Sequence, residues 1–279
     1  EQGLVDVVFK KFAKVGYTNT STNWDNWNAI VNSLQKTDDA IKIAMVGKYV
    51  TLADSYVSVN EALKHSSASI GRSVNIEWID SETLNGNLEH LDNFDGLLVP
   101  GGFGIRGSEG IIDTATYALE KNIPYLGICF GFQLAAVAFG RKMCNLENAN
   151  STEIVADTKN PIIDLLPEQK NETDMGGSLR LGANEIKISQ DSLARKIYSS
   201  DKIFKRHRHR YEFNTKYREE FLKKGMIFSG ESDDGKRMEI LEIPSHKFFL
   251  GVQFHPEFNS RPGFPEDAFK TFVTAASQN

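Results

Sequence analysis

Between residues 41 and 143, segments with the apolar pattern of a strand alternate with segments with the apolar pattern of a helix. Continuous apolar runs such as IKIAMVG and IPYLGIC are typical of strands that are buried on both faces of a sheet. The stretches between these runs space their apolar residues three or four positions apart, which predicts helices. Because strands alternate with helices, we expect an α/β fold with a doubly wound, mainly parallel central sheet and flanking helices.

The predicted elements place glycine and cysteine residues at one edge of this sheet. Strands are expected at residues 41–49 and 74–80 and in DGLLV and IPYLGIC, and helices at residues 56–70, 111–121 and 130–143. Gly101, Gly102 and Cys129 follow two of these strands directly. Since doubly wound sheets bind ligands beyond the carboxyl ends of their strands, these residues are candidates for a site.

The two remaining parts of the chain have different patterns. Residues 1–40 predict two short helices, in LVDVVFKKF and NWDNWNAIVNSLQK, and the strand–helix alternation begins only at residue 41. Residues 148–182 are polar and irregular and predict loops; whether residues 160–177 are ordered stays open. Beyond them we expect strands in EIKI, RHRHRYEFN and FFLGVQFHPEF, helices near residues 192–198 and 219–224, and a hairpin around the DDGK turn.

Composition excludes several classes of protein. A chain of 279 residues with 40% hydrophobic content can bury a large core, and a net charge of -5 argues against a general nucleic-acid binder. No apolar run approaches the roughly 20 residues that span a bilayer, and the first residues lack the form of a signal peptide. We therefore expect a cytoplasmic protein without membrane or nucleic-acid partners. Its two cysteines, Cys129 and Cys144, would then be thiols, so a special role would be catalytic or redox.

Cys129 lies in a Gly-x-Cys-x-Gly segment where a strand pattern gives way to a helix pattern. This arrangement is similar to a nucleophile elbow, in which flanking glycines avoid steric collision around a sharp turn. The N-terminus of the following helix favours a thiolate and offers N–H donors to an oxyanion. The simpler alternative is a small buried cysteine at a crowded junction.

A candidate base follows the final predicted strand, in QFHPEF. Alternation along an extended chain would put His255 and Glu257 on one side, so that the carboxylate can orient the imidazole. Pro256 biases His255 away from helix. A surface turn is the alternative for these residues taken alone. The loop VPGGFGIRG could offer backbone N–H groups to an oxyanion or be an ordinary tight turn, and it lacks the Lys-Ser/Thr of a phosphate-binding loop.

The segment KRHRHR permits two further interpretations. Its positive charge could bind nucleic acid, and the His-x-His spacing of His207 and His209 occurs in metal sites. As a strand it would send the arginines to one side and the histidines to the other. No convergent Cys or Asp ligand motif accompanies the histidines, so we predict no metal site.

The motifs PGGFG, GICFGFQ and FHPE, in this order, resemble those of the class I (triad) glutamine amidotransferases, whose fold is flavodoxin-like. The resemblance implies that Cys129 is the nucleophile that forms a γ-glutamyl thioester, that His255 is base and acid, and that Glu257 orients it. It further implies oxyanion donors at Gly102, Phe103 and Phe130, and glutamine-binding residues Gly102, Gln133, Glu153 and Arg210. Phe130 and Phe132 stand where the family commonly has leucine and methionine, which leaves the site apolar there.

Further motifs, VGKY, NANSTE, GGSLRLGA and RHRHRYEFN, resemble the family members whose glutaminase domain serves a ligase that converts UTP to CTP in pyrimidine biosynthesis. The resemblance implies that residues 1–40 are an interdomain linker and residues 41–279 a glutamine amidotransferase domain. Its partner would be an N-terminal synthetase domain that is absent from this chain. The full enzyme would use ATP and Mg with GTP as activator, whereas this domain would need no cofactor beyond its substrate L-glutamine. A homotetramer and filaments are expected at full length. Arg106 and Arg180 would lie in GTP-responsive loops, or else be ordinary surface arginines.

Three alternatives to this function stay open at the level of the sequence. The same chemistry could serve another acceptor, as in the synthesis of GMP or anthranilate, although RHRHRYEFN and the linker argue against it. The fold could be a catalytically silent regulatory or filament-forming module, which the intact triad disfavours. A cysteine hydrolase of peptides or γ-glutamyl chains would not need Gln133 and Glu153 to hold an amino acid.

Overall fold

The computed structural model describes residues 3–12, 24–36, 39–52, 54–84, 86–167, 169 and 179–278. The strands are β1 (Ile41–Gly47), β2 (Val74–Asp80), β3 (Gly96–Val99), β4 (Tyr125–Ile128), β5 (Ala149–Ser151), β6 (Asn160–Asp164), β7 (Arg180–Ile188), β8 (Lys202–His209), β9 (Glu212–Phe213), β10 (Ile227–Ser232), β11 (Met238–Glu242) and β12 (Phe249–Val252). The α-helices are α1 (Leu4–Phe12), α2 (Trp24–Leu34), α3 (Val57–Ser69), α4 (Ser108–Lys121), α5 (Phe130–Lys142), α6 (Leu193–Tyr198), α7 (Arg218–Lys223) and α8 (Asp267–Ala276). Short 3-10 helices lie at Glu89–Asn93, Thr215–Tyr217 and Pro256–Asn259.

A nine-stranded sheet in the order β2-β1-β3-β4-β12-β11-β10-β7-β8 forms the centre of the molecule. The five strands from β2 to β12 pair in parallel, and the four beyond β12 continue the sheet in antiparallel fashion. The α/β class with a doubly wound parallel centre is therefore confirmed. The hairpin predicted around DDGK is also confirmed, as β10 and β11.

Apolar side chains on both faces of the sheet form the core. β3 and β4 are buried along their whole length, as their continuous apolar runs predict. α4 and α5 cover one face, whose core includes Phe132 and Phe139, while α3 and α8 cover the other with Leu63 and Phe269 among its core residues. α5 is buried from Phe130 to Gly140, because β5, β6 and β9 form a small second sheet over it.

The prediction of loops at residues 148–182 is wrong in part. β6 pairs with β5 on one side and with β9 on the other, and β7 begins at Arg180, whereas the EIKI motif marks only its second half. Ile162 and Ile163 are fully buried, but two apolar residues in a polar stretch give no periodic signal. Residues 168 and 170–178 lie outside the described part, so the order of the predicted loop at 160–177 is described only for 160–167 and 169.

Both predicted N-terminal helices are present as α1 and α2. α2 packs against α3, while Trp24 and Trp27 remain about half exposed. The domain boundary at residue 40 stays a prediction. In the described part of the chain, no helix has the length and apolar character needed to cross a membrane.

Candidate active site

Cys129 occupies the sharp turn between β4 and α5, with φ 52° and ψ -96°. A Cβ atom on Gly131 would lie 2.4 Å from the carbonyl oxygen of Val99, and one on Gly127 would lie 2.7 Å from the Gly131 carbonyl carbon. No side chain fits at either glycine, because real Cβ atoms do not approach backbone atoms so closely. The predicted elbow is confirmed as a geometry, with the strained backbone at the cysteine itself.

His255 lies beside Cys129 at the end of β12. Its backbone N–H donates to the carbonyl oxygen of Arg206 over 2.8 Å, which ties it to β8. A Cβ atom on Gly101 would lie 2.9 Å from His255 Cε1 and 3.8 Å from Cys129 Cβ, so both side chains crowd the same glycine. The absence of a side chain at Gly101 therefore makes room for the imidazole.

Glu257 is the partner of this imidazole, with 2.8 Å between His255 Nδ1 and Glu257 Oε1. Burial lowers the pKa of His255, but hydrogen bonds to Cys129 and Glu257 and their negative charges outweigh burial and raise the pKa to about 10. Glu257 is buried within the 3-10 helix Pro256–Asn259, so the extended backbone that the sequence analysis expected here is wrong, although the two side chains do meet. Cys129, His255 and Glu257 thus lie together.

Strand β8 closes the other side of the sulfur. The carbonyl oxygen of Arg208 lies 3.9 Å from Cys129 Sγ, and the Nε2 amide of Gln253 lies 3.8 Å from it. β8 alternates as predicted, with Arg206 and Arg208 exposed and His207 and His209 buried. The sequence analysis did not single out Gln253, although it stands only two residues before His255 on the same strand end.

The glycine loop after β3 is held by a lysine that the sequence analysis missed. Lys48 Nζ donates to the carbonyl oxygens of Phe103 and Gly104 over 2.7 and 2.5 Å, and lies 4.3 Å from the centre of the Phe130 ring. Burial is the main reason that the pKa of Lys48 falls to about 8, with Glu153 opposing the shift. Its position after a buried strand, at the same edge as Gly101, was the available signal.

Glu153 holds the other end of the same peptide group, because its Oε1 accepts the Gly104 N–H over 2.9 Å. The carbonyl of Phe103 and the N–H of Gly104 belong to one peptide, so Lys48 and Glu153 fix its plane from both ends. Burial raises the pKa of Glu153, while the Gly104 N–H and the positive charges of Lys48 and Arg210 lower it.

One cleft is lined by all four predicted glutamine-binding residues. Its lining includes Gly102, Cys129, Gln133, Glu153, Arg210 and His255. Gln133 is almost fully buried, and its Nε2 donates to the carbonyl oxygen of Tyr211 over 2.9 Å. Phe103 borders the cleft with a largely exposed ring, whereas the ring of Phe130 is buried beneath the loop.

Arg106 and Arg180 have different environments. Arg106 donates to the backbone oxygen of Lys48 over 2.8 Å and pairs with Glu82 over 3.2 Å while remaining exposed. Arg180 does not lie in a loop as expected: it is the first residue of β7, largely buried, and forms an ion pair with Glu239. The buried carboxylate explains the difference, since an arginine beside it is drawn out of solvent.

His207 and His209 lie on the side of β8 opposite to Arg206 and Arg208, where they face a buried network of charged groups. His207 Nε2 lies 2.9 Å from Glu239 Oε2, and Glu239 also pairs with Arg180. Burial would raise the pKa of Glu239, but His207 and Arg180 lower it to about 2. Among the described residues, His207, His209 and Glu239 offer potential metal-ligating atoms within 4.8 Å of one another. The pairing of Glu239 with Arg180 gives this carboxylate a partner without an ion.

Comparison with known proteins identifies the class. The family model for glutamine amidotransferase class-I matches residues 51–275. The chain therefore belongs to the class I glutamine amidotransferase family.

Within this family, the similar proteins are CTP synthases. The chain is 50% identical to CTP synthase from Halalkalibacterium halodurans over 252 residues, which cover 90% of this chain and 47% of that protein. It is likewise 50% identical to CTP synthase from Archaeoglobus fulgidus over 254 residues, or 90% of this chain and 47% of that one. The chain thus spans about half the length of these relatives.

A solved structure of similar length is the glutaminase domain of Trypanosoma brucei CTPS with bound acivicin. It is 36% identical, has a TM-score of 0.81, and the match covers 86% of this chain and 95% of that one. The likeness over nearly the whole of a glutaminase domain agrees with the resemblance found in the sequence motifs.

Proposed function

We propose that the chain hydrolyses L-glutamine to glutamate and ammonia through a thioester on Cys129. The observation that carries this proposal is the convergence of a strained, buried cysteine, an imidazole and a buried carboxylate in one cleft. In the first half-reaction, His255 takes the proton of the Cys129 thiol, the sulfur forms a bond to the carboxamide carbon, and the C–N bond breaks as His255 gives that proton to the departing ammonia. In the second, His255 accepts a proton from water, the water oxygen forms a C–O bond, and the C–S bond breaks to release glutamate while the Cys129 sulfur takes back the proton.

Stabilisation of the oxyanion falls to backbone amides at the ends of β3 and β4. The fixed Phe103–Gly104 peptide supports this role, because it sets the direction of the neighbouring amides at Gly102 and Phe103. The amide of Phe130, which starts α5, is the further donor. Donors that are aligned before the reaction cost no reorganisation in the transition state.

Recognition of the amino-acid part of glutamine is assigned to Gln133, Glu153 and Arg210. The Glu153 carboxylate suits an α-ammonium group, and the Arg210 guanidinium suits an α-carboxylate. Gln133 directs both of its N–H hydrogens to Tyr211 and Gln253, so it offers its Oε1 to the ammonium group. Glu153 and Arg210 are close enough to influence each other's charge, as the pKa of Glu153 reflects. Opposite charges at one end of the cleft match a zwitterionic substrate.

In the complete enzyme, the ammonia would aminate a phosphorylated UTP to give CTP. The support for this step is that the similar proteins are CTP synthases of about twice this length. ATP with Mg would act at the synthetase domain, and GTP would act through the loop that includes Arg106. Cytoplasmic location and a tetrameric full-length enzyme belong to the same proposal.

The test is a glutaminase assay of the purified chain with and without acivicin, the ligand of the Trypanosoma brucei domain. We expect release of glutamate and ammonia in equal amounts, loss of this activity with acivicin, and protection by excess glutamine. A folded wild-type chain that released no ammonia, and that acivicin neither bound nor modified, would favour the silent regulatory module instead.

A further inference from the structure

We infer that Gln253 is a positioning residue whose side-chain amide links Gln133 to the sulfur of Cys129 and stabilises its anionic form. Gln253 is fully buried at the end of β12. The inference deepens the proposed function and rests on it, because it assigns a role to a residue that stabilises the same nucleophile.

The hydrogen-bond chain fixes the orientation of both amides. The carbonyl oxygen of Tyr211 can only accept, so Gln133 must present its NH₂ group there, over 2.9 Å. The same NH₂ group lies 3.3 Å from Gln253 Oε1, which accepts its second hydrogen. The NH₂ group of Gln253 therefore faces away from Gln133 and toward Cys129.

At Cys129 this NH₂ group meets two acceptors. Gln253 Nε2 lies 3.8 Å from Sγ and 3.5 Å from the backbone oxygen of the same residue. The carbonyl oxygen can only accept, which again requires N–H rather than oxygen at this end. A thiolate is a better acceptor than a thiol, so the bond to Sγ favours the charged form.

The backbone of Gln253 is also fixed, since its N–H donates to the backbone carbonyl oxygen of Glu239 over 2.8 Å. The side chain is thus held at its base and at both of its polar atoms. Because Gln133 lies in the cleft proposed for glutamine, a change in its hydrogen bonds is passed through one amide to the sulfur. Gln253 contacts Cys129 and stands two residues before His255, just after β12.

The experiment measures the rate of Cys129 alkylation by iodoacetamide against pH, in a Cys144→Ala background that leaves one cysteine. Gln253→Glu keeps the shape, removes the donor and adds negative charge, so the pH midpoint of the rate should rise by about one to two units. Gln253→Met removes the donor without adding charge and should raise the midpoint by about half a unit to one unit. The glutaminase kcat should fall in both variants.

Asn122→Asp is the matched control. It converts an amide to a carboxylate at the opposite end of β4, where Oδ1 still accepts the Lys247 N–H. Its alkylation midpoint should equal that of the parent. If a Gln253 variant does not fold, Gln133→Leu leaves Gln253 in place but releases its amide to rotate, and its midpoint should also rise.

Unchanged pH midpoints of Cys129 alkylation in the folded Gln253 variants would overturn the inference. If those variants do not fold, an unchanged midpoint in Gln133→Leu would overturn it instead. This outcome is distinguishable from failure of the proposed function. That failure would appear as glutaminase activity that survives Cys129→Ala, whatever the alkylation profile.

Discussion

The carboxylate of Glu257 lies against the imidazole of His255, with 2.8 Å between Oε1 and Nδ1. Because this carboxylate engages Nδ1, we expect Nε2 to exchange protons with the sulfur and the substrate. His255 and Glu257 should therefore have separable roles: His255 would transfer protons, and Glu257 would orient the imidazole and stabilise its positive charge.

We expect His255→Ala to reduce the glutaminase kcat by about three orders of magnitude or more, because proton transfer is lost in both half-reactions. Glu257→Gln keeps a hydrogen-bond acceptor and should reduce kcat by about ten- to hundredfold. Loss of the carboxylate should also lower the pKa of His255 and therefore shift the pH–rate profile toward lower pH. Glu61→Gln on the exposed face of α3 is the control. A Glu257→Gln variant more damaged than His255→Ala would reverse the two roles.

The two cysteines should differ sharply in reactivity. Burial, assisted by the charge of Glu220, raises the pKa of Cys144 to about 11, so this thiol stays protonated at neutral pH. Alkylation near pH 7 should label Cys129 first, as peptide mass spectrometry can measure. Cys129→Ala should abolish glutamine hydrolysis, and Cys144→Ala should change it less than about twofold. Equal labelling of both cysteines in the folded chain would contradict the assignment of Cys129.

Lys48 should matter for turnover more than for substrate binding. Lys48→Met removes the bonds to Phe103 and Gly104, so we expect kcat to fall about ten- to hundredfold with KM changed less. Since its pKa is about 8, the wild-type kcat should decline above pH 8 as the ammonium loses its charge, and Lys48→Met should lack this decline. Lys64→Met, on the surface of α3, is the control. An unchanged kcat in Lys48→Met would show that the hydrogen bonds from Lys48 to the glycine loop do not contribute to catalysis.

Chelation should leave the chain unaffected. The carboxylate of Glu239 is shared by Arg180 and His207, and burial keeps His209 neutral by lowering its pKa to about 3. Extended dialysis against EDTA should therefore change neither glutaminase activity nor the thermal unfolding midpoint. Stoichiometric zinc in the purified chain by elemental analysis, lost together with activity on chelation, would restore the metal interpretation of RHRHR.

Glu212 should make the fold less stable as pH rises. Burial, with the charge of Glu239, raises its pKa from 4.5 to about 8. Between these values the unfolded chain releases the proton that the folded chain retains, so stability falls by up to about 1.4 kcal/mol per pH unit from this group. Glu212→Gln should match wild type near pH 4.5 and become relatively more stable toward pH 8. Parallel urea curves of both proteins across this range provide the measurement.

The parallel half of the fold could be predicted from sequence because each of its strands and helices has its own apolar pattern within a few consecutive residues. The buried strands β3 and β4 are continuous apolar runs, and the edge strand β2, which alternates apolar and polar residues, falls at residues 74–80 as predicted. β5 and β6 could not, since their pairing depends on residues far apart in the chain and on the buried face of α5. A strand of three residues carries too few positions to show a period.

The site divides in the same way. Cys129, His255 and Glu257 are marked by neighbours in sequence: two glycines, a proline and a strand end. Lys48 and Gln253 also follow buried strands, but a strand end alone does not reveal their partners at the glycine loop and the sulfur, which lie 55 and 124 residues away. Arg180 was misplaced for the same reason, since its carboxylate partner stands 59 residues further on.

β8 is an edge strand of the nine-stranded sheet, yet its carbonyl oxygens at Arg206 and Arg208 meet His255 and Cys129. Terminal strands open by local unfolding at a lower free energy than the central strands of a sheet. Opening of β8 would separate Cys129 and His255 from the strand that supports both, while β1, β3 and β4 keep their hydrogen bonds. We therefore expect the site to come apart at a lower denaturant concentration than the fold that carries it.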